Sequence, residues 1–217
     1  IYSLVAKPEI KSYADLRGRM LGLADEAGTI ALSIRRLLRA NGLGDGDYAV
    51  RVISGTPTRV GCLKRGDCAA VPLGQPQDIV AQREGYRILG RSDEVTPAYV
   101  YTVTAARRSW AAAHADVVVR YIRALATAFA FIRDESNRAA VIAVVMQDTR
   151  CSEADAAATL DLYFKPDRNV LPRRGEIDGD AMTRTIALMA DGGQLTAPPP
   201  PADRFIDGQY LRSAGID

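Results

Sequence analysis

The first half of the chain alternates short apolar runs with amphipathic segments, a pattern typical of βαβ units and a mostly parallel sheet. Four apolar runs predict strands, over residues 20–24, 48–54, 68–73 and 86–90. Three helices are predicted between them, over residues 29–40, 56–65 and 77–84. In the first helix, Ile30, Ile34, Leu37 and Leu38 fall on one face at helical spacing. Together these elements predict a compact α/β lobe.

The second half is predicted to be mostly helical. It opens with a β-rich run over residues 99–105, and the helices then follow over residues 116–133, 138–147, 152–163 and 177–190, with a terminal helix after Phe205. Ser152 is the expected N-cap of its helix, with Asp155 completing a capping box. The helix over residues 116–133 has an apolar stripe along one face, for which the chain offers no obvious cover.

Composition and charge exclude several classes of function. Lys plus Arg is 28 and Asp plus Glu is 26, so the net charge is only +2, which argues against a nucleic-acid partner. The one histidine, His114, would have to serve any Ser-His-Asp, Cys-His or multi-histidine metal site, and its polar context indicates the surface instead. The glycine-rich motifs of nucleotide sites are absent, so we expect no cofactor and no metal.

The three cysteines do not identify a redox compartment. Cys62 and Cys68 are six residues apart across a predicted helix-to-strand turn. This spacing allows a disulfide, but two small buried thiols are the favoured interpretation. Cys151 precedes a predicted helix start and is expected to be structural or free.

Candidate chemistry lies where three predicted strands end in short turns before a helix. Because parallel strands end at the same edge of a sheet, these turns should converge and offer helix N-terminal amides to a small polar ligand. The alternative is that Thr29 and Thr56 are ordinary N-caps. Asp25 and Glu26 would compete with an anionic ligand for the same amides, so the charge of the ligand stays open. The candidate ligand contacts are Gly28, Thr29, Ser54, Gly55, Thr56, Gln75 and Pro76.

Four stretches of the sequence resemble substrate-binding proteins of ABC transporters. They are residues 6–18 followed by Gly28-Thr29, residues 54–57 with 63–66, residues 69–76, and residues 205–211. The similarity is to the nitrate, sulfonate and taurine (NMT1/THI5-like) branch. It implies an α/β, type II periplasmic-binding-protein fold, in which two lobes joined by crossing strands hold a ligand in the cleft between them.

Under this resemblance, residues 15–95 are the second, complete α/β lobe. Residues 1–14 and 96–217 are then the crossing strands and an incomplete, mostly helical first lobe, because the family's elements before the segment equivalent to Ile1 are missing. Either the chain is a fragment of a longer precursor, or its helices pack in another way. We expect the apolar stripe on residues 116–133 to be covered by a second copy of the chain, forming a homo-oligomer, or by a separately supplied piece.

The function implied is that of the solute-binding component of an ABC importer. It would capture a small organic molecule, such as a sulfonate, a carboxylate or a pyrimidine-like compound, and present it to a membrane permease. The full-length precursor would be periplasmic or lipid-anchored outside the cell. Two alternatives remain: an enzyme of the same fold acting on a small organic acid, or a ligand-sensing domain like that of LysR-type regulators, which would need a detached DNA-binding segment.

Overall fold

The computed structural model describes residues 1–96, 98–100, 102–164 and 170–216. The chain divides into two compact units. Unit 1 comprises Ile1–Pro97 with Ala187–Ala197, and unit 2 comprises Ala98–Ile186 with Pro198–Asp217. The assignment of residues 15–95 to a separate second lobe stays a prediction.

Unit 1 contains a five-stranded sheet. Its strands are β1 Ser3–Ala6, β2 Met20–Leu23, β3 Ala49–Val52, β4 Ala70–Leu73 and β5 Arg87–Arg91, in the order β3-β2-β4-β1-β5. Strand β2 is parallel to β3 and β4, whereas β1 is antiparallel to both of its neighbours, β4 and β5. Strands β2 to β5 therefore run in one direction, and β1 runs in the opposite direction.

Helices cover both faces of this sheet, which explains why its strands read as continuous apolar runs. The helices are α1 Thr29–Ala40, α2 Thr56–Arg65 and α3 Gln77–Arg83, as the sequence predicted to within one residue. Successive side chains of a strand point to opposite faces, so Leu4 packs in one buried cluster with Ile34 and Leu37, and Val5 packs in another with Leu63.

A disulfide joins Cys62 to Cys68, so the prediction of two free thiols is wrong. The chain turns sharply at Gly66, whose φ of 83° closes helix α2 in the left-handed region. The backbone N–H of Cys68 then donates to the carbonyl of Cys62 at 3.2 Å. This return brings the two Cα atoms to 5.4 Å, within the range that a disulfide bridges.

The described part of unit 2 is helical. Its helices are α4 Arg108–Ala113, α5 Ala115–Arg133, α6 Arg138–Thr149, α7 Glu153–Tyr163 and α9 Gln209–Ser213, and α8 Gly179–Asp191 begins in it and ends in unit 1. Ser152 caps α7 in a capping box with Asp155, as predicted. His114 is exposed at the junction of α4 and α5, stacked on Trp110 with ring centroids 4.7 Å apart.

The prediction of a β-rich segment over residues 99–105 is wrong for the residues described there. Residues 99, 100 and 102–105 are in no strand, and Tyr101 lies outside the described residues. The aromatic and β-branched residues of this run favour extended backbone, but a strand also needs a partner. All five strands of the described chain belong to unit 1.

Helix α5 has no buried residue along its 19 positions. Val117, Tyr121 and Phe131 are exposed apolar side chains on it. Among the described residues, no helix has the length and apolar character needed to cross a bilayer.

Candidate functional site

The carboxyl ends of the parallel strands define one edge of the sheet of unit 1, which we call the carboxyl edge. The turns after β2, β3 and β4 all lie at this edge, because the three strands are parallel and β2 lies between β3 and β4 in the sheet. The backbone amide of Ile53 donates to the carbonyl of Leu23 at 2.7 Å and joins the first two turns directly. All seven predicted contact residues are thus brought to one edge; that they bind a ligand stays a prediction.

The first turn, after β2, places a carboxylate at the start of α1. Gly28, not Thr29, is the N-cap residue, and it has no side chain with which to cap the helix. The carboxylate of Asp25 accepts a hydrogen bond from the Gly28 amide. A Cβ at position 28 would lie 2.7 Å from Oδ2 of Asp25, so only glycine leaves room for this carboxylate.

The second turn, after β3, is held by a buried arginine. Gly55 is the N-cap of α2 with a φ of 81°, so the alternative interpretation of Thr56 as an ordinary N-cap is wrong. Arg59, only 3% exposed, donates to the carbonyls of Pro72 at 2.9 Å and Ile53 at 3.2 Å. It also donates to the hydroxyl of Thr56 at 3.1 Å. Because that hydroxyl oxygen accepts from Arg59, its hydrogen is available as a donor at the edge. Ser54 is exposed.

The third turn, after β4, is organised by a buried aspartate. Asp78 Oδ2 accepts from the hydroxyl of Ser3 at 2.6 Å and from the amide nitrogen of Gln75 at 2.7 Å. Its Oδ1 accepts from the backbone of Ile79 at 2.8 Å. Gln75 is half-buried, its Oε1 is shielded without a hydrogen-bond partner, and Pro76 beside it is buried. The amide nitrogen of Gln75 therefore donates to Asp78, whereas its oxygen is an acceptor without a donor.

The sequence analysis missed a fourth turn at the same edge, which follows β5. Ser92 ties this turn to the start of β1: its hydroxyl accepts from the Tyr2 amide at 3.0 Å, and its amide donates to the Tyr2 carbonyl at 2.8 Å. Thr96 is 4% exposed, and its hydroxyl has no hydrogen-bond partner. No glycine and no α-helix directly follow β5, so the signal that identified the other turns is absent here.

Tyr13 packs behind the fourth turn. Its hydroxyl lies against Gly90, where a Cβ would collide with it, and it is buried without a hydrogen-bond partner. Burial, together with the charge of Glu94, raises the pKa of Tyr13 to about 12.

The side chains of the four turns leave the carboxyl edge acidic. Residues 24–29, 53–59, 74–78 and 91–96 contain five acidic side chains and two basic ones, a net charge of −3. The chain as a whole has a net charge of +2, so this edge differs in sign from the rest of the molecule.

A groove of about 580 Å³ in unit 2, between α5 and α9, is a weaker candidate. The two arginines that line it already have partners in the protein: Arg120 forms an ion pair with Asp116 at 2.9 Å, and Arg123 donates to the carbonyl of Ser213 at 3.0 Å. None of the predicted contact residues lines it. We favour the carboxyl edge over this groove because the edge combines uncommitted polar atoms with converging helix starts. Over the described ranges, no group of three or more His, Cys, Asp or Glu side chains could hold a metal ion.

Comparisons with known proteins bear on the family and the fold. The sequence profile of the NMT1-like family matches residues 4–146. The chain is similar to a ligand-binding component of an ABC-type import system from Staphylococcus aureus with zinc bound, at 13% identity and a TM-score of 0.79, over 98% of this chain and 70% of that one. It is also similar to the alkanesulfonate-binding protein SsuA from Xanthomonas axonopodis pv. citri bound to MOPS, at 18% identity and a TM-score of 0.69, over 93% and 68%.

A third similar structure is an enzyme. A variant of the desulfurization enzyme DszB in complex with biphenyl-2-sulfinic acid aligns at 19% identity and a TM-score of 0.65, over 98% of this chain and 75% of that one. No curated protein matches the sequence. These likenesses confirm the predicted fold class, α/β of the periplasmic-binding-protein type.

Proposed function

The chain belongs to the NMT1-like family, and from this premise we propose that it is the solute-binding component of an ABC importer. Its solute is a small organic molecule of the sulfonate, carboxylate or pyrimidine-like class. The supporting observation is the carboxyl edge of unit 1, where three glycine-bearing turns meet. Similar structures add support, since one is described as the ligand-binding component of an ABC-type import system and another as an alkanesulfonate-binding protein.

The chemistry of this edge suits binding by main-chain and hydroxyl donors. The N-cap residues of α1 and α2 are Gly28 and Gly55, and neither provides a side-chain hydrogen bond, so first-turn amides can face a ligand. Thr56 adds a hydroxyl donor, since its oxygen is already occupied by Arg59. Gln75 adds an amide group. The proposed contacts are Gly28, Thr29, Ser54, Gly55, Thr56, Gln75 and Pro76.

A thermal-shift panel tests this proposal, followed by titration calorimetry of each compound that raises Tm. The panel contains sulfonates, aromatic carboxylates, pyrimidines and amino acids. A ligand at 100 times its Kd should add about 2.7 kcal/mol to the free energy of unfolding. Thr56→Val should then weaken binding about tenfold through the lost hydroxyl donor. Thr183→Val, at an exposed position of α8 and outside the four turns of the edge, is the matched control. Failure of every compound to shift Tm would refute the proposal.

The likeness to DszB is the specific observation that favours an enzyme as the second candidate. We favour binding without turnover, because the one hydroxyl–carboxylate pair described at the edge, Ser3 with Asp78, is fully buried. Its carboxylate also accepts from Gln75 and Ile79, which is a structural role rather than that of a base beside an accessible nucleophile. Incubating each panel hit with the protein and following the compound by mass spectrometry separates the two functions. Consumption of a hit would favour the enzyme.

The partner and the location follow from the same proposal. The solute would pass from this protein to a membrane permease, and the protein would act in the periplasm or be lipid-anchored outside the cell. The Cys62–Cys68 disulfide supports this location, because disulfides persist in oxidising compartments. Thiol alkylation of the protein directly after cell lysis tests it: unreactive Cys62 and Cys68 are expected, and alkylation of both would count against it.

We extend the proposal to the exposed face of α5, which would be covered by a second copy of the chain or by a separately supplied piece. The support is that Val117, Tyr121 and Phe131 are exposed on a helix with no buried residue. Light scattering coupled to size-exclusion chromatography should show a dimer or a larger species. A well-behaved monomer would count against a second copy.

A further inference from the structure

We propose that the carboxyl edge selects solutes that carry an amino or other N–H group, and that Gln75 Oε1 is the acceptor that recognises it. The inference rests on the proposed function and narrows its ligand class. Within sulfonates, carboxylates and pyrimidines, it predicts that the amino-bearing member binds more tightly than its methyl analogue.

The orientation of the Gln75 amide is determined by its neighbour. Its nitrogen lies 2.7 Å from Oδ2 of Asp78, and a carboxylate oxygen only accepts hydrogen bonds. A flipped amide would place two acceptors against each other, so Oε1 must be the atom directed away from Asp78. The hydroxyl of Ser3 and the amide of Ile79 hold Asp78 itself in place.

Gln75 Oε1 is thus a fixed acceptor without a donor. It is shielded from solvent and has no hydrogen-bond partner in the protein, whereas buried polar atoms nearly always have one. The residue as a whole is only half-buried, so its side chain reaches the surface of the protein. The hydroxyl of Thr96, on a side chain 4% exposed, is a second buried group without a partner at this edge.

The charges at the edge favour the same kind of ligand. Its net charge of −3 disfavours a simple anion. Asp25 already satisfies the Gly28 amide at the start of α1, where an anion would otherwise bind. The guanidinium of Arg59 donates inward, to the carbonyls of Pro72 and Ile53. An amino group would form a hydrogen bond with Gln75 and would be attracted by the net negative charge of the edge. The acid group of the same solute would accept hydrogen bonds from the amides of α2 and from the Thr56 hydroxyl.

Pairs of isosteric compounds test the proposal, because a methyl group replaces the amino group at nearly constant size. The pairs are 2-aminoethanesulfonate with propane-1-sulfonate, β-alanine with butanoate, and 4-aminopyrimidine with 4-methylpyrimidine. We expect calorimetry of the full chain to show that the amino member of at least one pair binds about ten- to a hundredfold more tightly. The reason is that Gln75 Oε1 stays without a hydrogen bond in the complex with the methyl analogue.

Two variants assign this preference to the edge. Gln75→Leu removes the acceptor at similar volume and should reduce the ratio within the pair to about one, mainly by weakening the amino member. Gln82→Leu, at an exposed position of α3, is the matched control. If Gln75→Leu does not fold, Glu26→Gln provides the second test: it removes an exposed charge and should weaken the amino member alone, by a few-fold at low salt.

The outcomes separate this inference from the proposed function. A preference for the amino member that Gln75→Leu abolishes and Gln82→Leu preserves supports the inference. Methyl analogues that bind wild-type protein as tightly as their partners overturn it and leave the proposed function standing. A preference that survives both Gln75→Leu and Glu26→Gln also overturns it. If no compound binds, the proposed function fails, and this inference with it.

Discussion

Replacing Arg59 tests whether one buried side chain holds the carboxyl edge together. In Arg59→Met the carbonyls of Pro72 and Ile53 lose their donors, whereas the half-buried Thr56 hydroxyl can turn to water. Each buried carbonyl left unpaired costs about 1–3 kcal/mol. Removing a buried charge returns part of that cost. We therefore expect the free energy of unfolding to fall by about 2–4 kcal/mol, measured by circular dichroism in urea.

Arg59→Lys distinguishes hydrogen-bond geometry from charge. Lysine keeps the charge but has a single nitrogen, which cannot reproduce the forked contacts to the carbonyls of Pro72 and Ile53. We expect it to lose about as much stability as the methionine variant. Arg65→Met is the matched control on the same helix, because Arg65 is 66% exposed and pairs with Asp67 at the surface, so less than about 0.5 kcal/mol should be lost. A lysine variant as stable as wild type would refute this account of Arg59.

Three further measurements test other parts of the fold. Tyr13→Phe removes an unpartnered buried hydroxyl and should raise the free energy of unfolding at pH 7 by up to about 1 kcal/mol. Because the pKa of Tyr13 is raised to about 12, the wild-type protein should also lose stability between pH 10 and 12, and the variant should lose less. Replacing Cys62 and Cys68 by serine should cost about 2 kcal/mol, and dithiothreitol should lower the Tm of wild type only. A hydrogen bond from Arg39 lowers the pKa of Asp45. Asp45→Asn should therefore reduce the free energy of unfolding by less than about 1 kcal/mol at pH 7, and should not change it once the pH falls below that lowered pKa. An equal reduction at both pH values would contradict this.

The sequence predicted those elements whose signals are local. Helix α1 was expected over the residues where it occurs, because apolar spacing marks its buried face and Asn41-Gly42 ends it. The turns after β2, β3 and β4 were expected to converge, since alternating strands and helices imply parallel strands. The Ser152 cap was read from a short motif in the same way.

Features that depend on distant partners were missed. An arginine on an amphipathic helix normally faces solvent, and the burial of Arg59 requires carbonyls from two other segments. The fourth turn is tied to the edge by Ser92, whose hydrogen-bond partner Tyr2 lies 90 residues away in the sequence, which no local pattern reveals. The disulfide depends on how tightly the chain returns at Gly66, and a spacing of six residues does not determine that.

The antiparallel direction of β1 has a practical consequence for labelling. Its first residue, Ser3, pairs with Leu73 and Arg91, the last residues of β4 and β5, and donates to Asp78 beside Gln75. Anything attached ahead of Ile1 emerges next to the atoms proposed to recognise the solute. An affinity tag fused directly ahead of Ile1 would crowd this edge and weaken the apparent affinity, so it should be cleaved before titration. A small environment-sensitive dye attached at position 1 would instead report solute occupancy by a change in fluorescence.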